Sequence, residues 1–569
     1  MRHLATLVAA SFISAGVFSR ELCTASQKCW PSPDVWSQFN ASVGGRLVAP
    51  HPPAWPCHDP HYDEAACQQV KSNWINGFWR ANQTGAMQDP VWDSFRCSID
   101  APRNEPCDQG FVPVYAVAAE DSDDISKAVV FAGKHKLRLI VKNTGHDYLG
   151  RSSAAGSFGI WTHKLKGMDF NDAFVPTGCA KTTPGMPAVT LGAGEQWRDV
   201  HKAADERNLT IVGGAARSVG SSGGWVQGGG HSPLGLLYGM GVDNVLQFRI
   251  VKPDGKLVIA NACQNKDLFW ALRGGGGGTW GVALDATFKT HPALDSMVGV
   301  YIVVNVTSPG KLTSLAEDFL RAVPDLNARG VSGYAVWAAQ VTATFTMFHQ
   351  NSSSVEHTNQ TLAPIWNWIA NNTDTKVSSY GKYHPTFYDF FETWVSTDPL
   401  IGTPIWVTGR LVSAKAMKSR PAELAKLVLV DSSPSMNLVA GGAVNQVDPD
   451  STGLNPQWRN DAIMSWNFGG SWNSTTPTKT IEEIKKRARD VTLALGDIAG
   501  LDHAAYFNEA NPEEPMWKKA FFGDHYDRLL KIKRKIDPKC IILSSVGVRK
   551  LKGGGWLFSR PRKKKTWKA

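Results

Sequence analysis

Residues 137–153 read L-R-L-I-V-K-N-T-G-H-D-Y-L-G-R-S-S, an apolar strand-like run that enters a glycine-containing loop. Backbone N–H groups in such a loop can cradle phosphate oxygens. Gly145 and Gly150 allow a close approach that a side chain would block. Lys142 and Arg151 add cations, and His146 projects from the middle of a loop wrapped around an anionic ligand. A lone histidine is more often a hydrogen-bonded structural residue, so its context decides.

Four further blocks supply that context. Gly192-Ala193-Gly194 with Trp197 reads as a turn entering a helix, and Gly213-Gly214 leads to V-G-S-S-G-G-W-V-Q-G-G-G-H-S-P-L, Val219 to Leu234, then Gly241-Val242-Asp243-Asn244. D-L-F-W-A-L-R, Asp267 to Arg273, precedes the run Gly274–Gly278 and Thr279-Trp280-Gly281-Val282. A glycine run alone is a flexible loop; its place between these two motifs makes it specific. Near the end stand A-A-Y-F-N-E-A-N, Ala504 to Asn511, then Pro515-Met516-Trp517 and Ile536-Asp537-Pro538.

In order and spacing these blocks resemble the vanillyl-alcohol-oxidase-type (PCMH-type) FAD-binding fold, in its berberine-bridge-enzyme-like branch. The texture is similar to secreted fungal isoamyl-alcohol-oxidase-like flavoproteins, Cys-rich N-terminal extension included. The resemblance implies FAD, attached covalently by the histidine of G-H-x-x-x-G, here His146. It draws the cofactor's surroundings from Lys142, Asn143, Thr144, Gly145, Asp147, Gly150, Arg151, Ser152, Gly213, Gly214, Gly220, Gly223, Gly224, Gly229, Gly230, Val282 and Asn508. Many members attach the flavin again through a cysteine three residues before the V-G block. Ala216 stands there, so no second, cysteinyl link is expected.

The tyrosine of Y-x-N, here Tyr506, is the implied catalytic base, taking a hydroxyl proton while hydride passes to the flavin. His231 and Trp280 read at least as readily as structural residues. The implied activity is oxidation of an alcohol, with dioxygen accepting the electrons to give hydrogen peroxide. An oligosaccharide oxidase of the same fold and a flavin-binding glycoprotein without turnover are the alternatives.

The elements that must position these residues follow from periodicity. Asp121 to His135 is a predicted helix, with Ile125, Val129, Val130 and Ala132 at helical spacing, acids at its start and lysines at its end. Strand-like runs recur at 137–142, 188–192, 209–213, 245–252 and 257–259, with a helix over 195–207. Beyond Pro292 come longer segments at 298–306, 312–323, 331–348 and 362–369. The expected class is α+β: a PCMH-type FAD-binding domain of two α/β subdomains and a substrate domain with an antiparallel sheet and helices. The predicted boundaries are a signal peptide at 1–19, a Cys/Trp/Pro-rich extension at 20–111, FAD domain 112–294, substrate domain 295–502, a C-terminal segment 503–548 completing the FAD domain, and a basic tail 549–569.

Bulk properties exclude other classes. The 569 residues carry a formal net charge of +10, but nine Lys or Arg and no acid stand in 549–569, leaving +1 for the rest. A nucleic-acid binder needs cations spread over a docking face, and none is evident. The apolar run Leu4–Phe18 is a signal, too short to span a bilayer. Eight Asn-x-Ser/Thr sequons (Asn40, Asn82, Asn208, Asn305, Asn351, Asn359, Asn371, Asn473) agree with an N-glycosylated, extracellular monomer. Six cysteines cluster early without zinc spacing, and no metal is expected. Neighbour pairing as Cys23–Cys29, Cys57–Cys67 and Cys97–Cys107 is preferred among about 15 connectivities. Cys179, Cys263 and Cys540 form an odd remainder.

Overall fold

The computed structural model describes residues 22–294, 296–395, 400–430 and 434–542. The expected signal peptide and basic tail lie outside the described residues.

Three sheets organise the chain. The first holds β1 (Leu47–Val48), β2 (Tyr115–Ala118), β3 (Leu139–Lys142) and β4 (Phe158–Trp161) in the order β1-β2-β4-β3, with β2, β4 and β3 parallel. The helix Ser122–His135 joins β2 to β3, which run parallel on either side of β4. Asp121 caps that helix by accepting from the Asp123 and Asp124 N–H groups, and Ile125, Ala128, Val129 and Ala132 face the sheet. Lys136, at φ 55°, ends it in the left-handed region.

The second sheet is antiparallel: β5 (Met168–Phe174), β6 (Met186–Gly192), β7 (Leu209–Ile211), β8 (Val245–Val251), β9 (Leu257–Asn261) and the long β10 (Val282–Pro292), ordered β5-β6-β10-β8-β9 with β7 also on β10. Its core gathers Trp197, Phe248, Trp270 and Trp280. Residues of the C-terminal segment, Ala504 to Phe507 and Leu529 of the helix Tyr526–Ile536, pack into that same core.

β10 leads into the third sheet, of β11 (Met297–Asn305), β12 (Val331–Ala338), β13 (Thr342–Gln350), β14 (Lys376–His384), β15 (Ile405–Ser413), β16 (Ser435–Leu438) and β17 (Ala462–Ser471), ordered β14-β11-β13-β12-β16-β17-β15 and antiparallel throughout. Helices Pro309–Ala328 and Thr478–Ile498 cover one face. Phe387, Phe390 and Phe391 join this unit to Val212 and Leu234.

The Cys/Trp/Pro-rich extension carries regular structure: it forms helices Pro33–Ser42 and Glu64–Asn73 and supplies β1. Trp36 lies in the first core against Phe39, Tyr115, Phe131 and Phe158, so the aromatic content is core-building. The run 331–348 is a hairpin, turned by Ala339 and Gln340 at φ 50° and 59°. The three preferred disulfides are present, and Cys179–Cys263 makes a fourth.

Candidate functional site

Two cavities meet at the loop that carries His146. The inner one, about 210 Å³, opens at the carboxyl ends of β3 and β4 and is floored by β10 and the glycines of 220–224 and 277–281. The wider one, about 630 Å³, lies between that loop and the third sheet. His146, Tyr148, Ala216, Val219, Trp225 and Glu509 line both.

The inner cavity brings together Asn143, Thr144, Gly145, His146, Asp147, Arg151, Ser152, Gly220, Gly223, Gly224, Tyr506 and Asn508, which stand up to 365 residues apart in sequence. Hydrogen bonds tie the blocks to one another. His146 Nε2 meets Ser218 Oγ at 2.8 Å, and Gly220 N–H donates to Thr144 Oγ1 at 3.3 Å. Arg151 Nε donates to Asp147 Oδ1 at 2.7 Å and its Nη2 to Asn508 Oδ1 at 3.1 Å. Asn508 Nδ2 donates in turn to Tyr506 Oη at 2.8 Å and to the Trp225 carbonyl at 3.0 Å. Asn508 thus clamps the histidine loop, the glycine stretch and the C-terminal segment at one point.

The remaining predicted residues sit elsewhere. Lys142 is 2% exposed and its Nζ donates to the Gln83 carbonyl at 2.8 Å, beside the Trp161 ring; it serves the extension and gives no cation to the cavity. Burial pushes that ammonium down to about 7. Gly150 lies under the Trp92 ring, Gly213 beside Trp197 and His201, Gly229 against Leu454, and Gly230 against Trp225. Gly214 lines the wider cavity alone, and Val282 is in the core of the first sheet. These glycines make room for indole rings and aliphatic side chains.

Tyr506, expected as the catalytic base, is 1% exposed and lines the inner cavity but not the wider one. Burial raises its pKa, with the Glu509 charge adding. Sequence reasoning passed over Gln227, Gly277, Gly278 and Glu509. The two glycines carried a signal, being inside the run 274–278.

The cavity suits a polar group that offers both hydrogen-bond donors and acceptors. Arg151 Nη1, Asn143 Oδ1 and Gln227 Oε1 are buried beside it without a hydrogen-bond partner, and such atoms are costly unless a ligand satisfies them. Gly224 has open space where a Cβ would stand. A glycine-lined cleft between two subdomain sheets, with an adjoining cavity walled by a third, defines a flavoprotein of the FAD-binding class.

Comparison with known proteins agrees. A family model described as FAD binding domain matches residues 113–261, and one described as berberine and berberine like matches 505–541. An uncharacterized FAD-linked oxidoreductase of Arthroderma benhamiae is 40% identical over 526 residues, 91% of this chain and 92% of that protein. The FAD-linked oxidoreductase asqF of Emericella nidulans is 36% identical, covering 94% of each. The crystal structure of the VAO-type flavoprotein MtVAO713 from Myceliophthora thermophila superposes with a TM-score of 0.86 at 28% identity, over 93% of this chain and 96% of that one. This chain belongs to the FAD-linked oxidoreductases of the berberine-bridge-enzyme-like, VAO-type fold family.

Proposed function

We propose that the protein is a secreted, N-glycosylated FAD-linked oxidase of a small-molecule alcohol, with its flavin held covalently through His146 alone. The observation that carries this reading is the position of His146, on a loop that lines both the glycine cradle and the wider cavity. Bound flavin supplies a two-electron acceptor that dioxygen can regenerate, yielding hydrogen peroxide.

The chain's own residues bind and orient. Arg151 and the amides of the 145–152 loop hold the anionic part of the cofactor, and Ser218 fixes the His146 ring at its Nε2. Ala216 lines both cavities where a second attachment would need a thiol. The wider cavity falls in the size range of small-molecule sites. Its lining mixes Tyr334, Trp394 and Phe468 with Ser435, Asn437 and Asn467, which fits a hydroxyl group borne on an apolar frame. Four disulfides accord with an oxidising compartment, and six of the eight sequon asparagines are exposed.

The test is a panel of aliphatic, allylic and benzylic alcohols mixed with the purified protein. Bleaching of the visible flavin absorbance without air, and peroxide equal to product in air, is the expected result. A flavin that no alcohol bleaches contradicts the reading.

A further inference from the structure

Glu509 follows Asn508 directly, and its carboxylate occupies the junction of the two cavities. Among the described residues that line the wider cavity it is the single acidic one, and its side chain is 21% exposed. Three side-chain donors from three elements fix it. His231 Nε2 meets Oε1 at 2.8 Å, Asn467 Nδ2 of β17 donates to Oε2 at 2.9 Å, and Asn437 Nδ2 of β16 to Oε2 at 3.5 Å. An ionised carboxylate offers about four acceptor positions, so one remains for a ligand.

Burial alone would favour the neutral acid. The His231 and Asn467 contacts outweigh it and hold Glu509 below the usual carboxylate range. Tyr506 is the opposite case: walled off from the wider cavity, its oxygen already accepts from Asn508.

We propose that Glu509 is the general base of the reaction, taking the hydroxyl proton of a donor bound in the wider cavity; this rests on the alcohol-oxidation reading above. The O–H bond breaks and its proton passes to the Glu509 carboxylate. The carbinol hydrogen leaves with the C–H electron pair as hydride to the bound flavin, and the freed oxygen pair closes the C=O bond. The carbon is oxidised by two electrons and the flavin reduced by two. The proton on Glu509 then leaves through the cavity to solvent. A weak base suffices, because the hydroxyl becomes strongly acidic as hydride departs. His231 and Asn467 are positioning residues that keep the carboxylate ionised and aimed.

Two measurements on the flavin-loaded protein test this. Benzylamine and benzoate are titrated against wild type and Glu509→Gln, read by tryptophan fluorescence and the flavin spectrum. An ionised carboxylate facing the cavity predicts about tenfold or greater preference for the ammonium, erased in the variant; benzoate binding as well as the amine to wild type overturns the proposal. In the second, anaerobic reduction by the alcohol panel is timed. Glu509→Gln is expected to slow it by about 100-fold or more, with Glu509→Asp intermediate and affinity for the product aldehyde within about threefold of wild type. Reduction of the Gln variant within about tenfold of wild type overturns the role of Glu509 and leaves alcohol oxidation standing. A wild-type flavin that no alcohol reduces overturns the alcohol reading and the hydroxyl step with it.

Discussion

Gly150→Ala probes how the His146 loop is held. Gly150 has φ +68°, and a Cβ there would stand 2.5 Å from both Cε3 and Cζ3 of Trp92. The ring cannot step aside: Trp92 is 2% exposed, its Nε1 donates to the Tyr148 carbonyl at 3.2 Å, and Met87, Val91 and Trp406 pack around it. The left-handed backbone costs an alanine about 1–2 kcal/mol. Overpacking against a fixed ring adds about 1–3 kcal/mol. The expected loss is therefore about 2–5 kcal/mol, read as a fall in the denaturant midpoint. Displacing the loop should also lower the fraction of flavin attached. Trp92→Leu opens space for the new methyl, so the double variant should recover about 1–3 kcal/mol relative to the sum of the singles. Strict additivity, or a single-variant loss below about 0.5 kcal/mol, would refute this account of the loop.

Other consequences follow from the same contacts. Asn508→Ala removes the clamp between Arg151, Tyr506 and the Trp225 carbonyl, and should cost about 1–3 kcal/mol and lower the fraction of protein that carries attached flavin, checked by melting and by the ratio of flavin to protein absorbance. Burial first, with nearby lysines adding for His163 and His291, depresses His163 and His201 to about 3 and His291 to about 4. Their unfolded value is near 6.5, so this stability is complete above pH 6.5 and is lost as pH falls toward 4, by about 1.4 kcal/mol per pH unit for each histidine; a Tm series from pH 7 to 4.5 should show the decline. Replacing Cys179 and Cys263 by serine opens an 84-residue loop and should cost about 4 kcal/mol in a denaturant titration.

Much of the cofactor side was legible because its chemistry is local. Residues 143–152 must be contiguous to wrap an anion, and glycine spacing marks them whatever the rest of the chain does. Lys142 was misplaced because a strand's last residue can point to either face, and the contact that settles it, the Gln83 carbonyl, lies 59 residues away. The same limit hid the packing role of Gly213 and Gly230, whose neighbours are indoles from other elements. Glu509 escaped notice since its partners His231, Asn437 and Asn467 converge only through the third sheet. The 339–340 turn uses Ala and Gln, which carry no turn signal.

The measurement that bears most directly on the central claim is the fate of the flavin on acid precipitation. With His146 as the only anchor, yellow colour should stay with the precipitated protein, map to the peptide containing His146, and vanish from that peptide in His146→Ala. Free FAD in the supernatant of wild type, or flavin on any other peptide, would contradict the account.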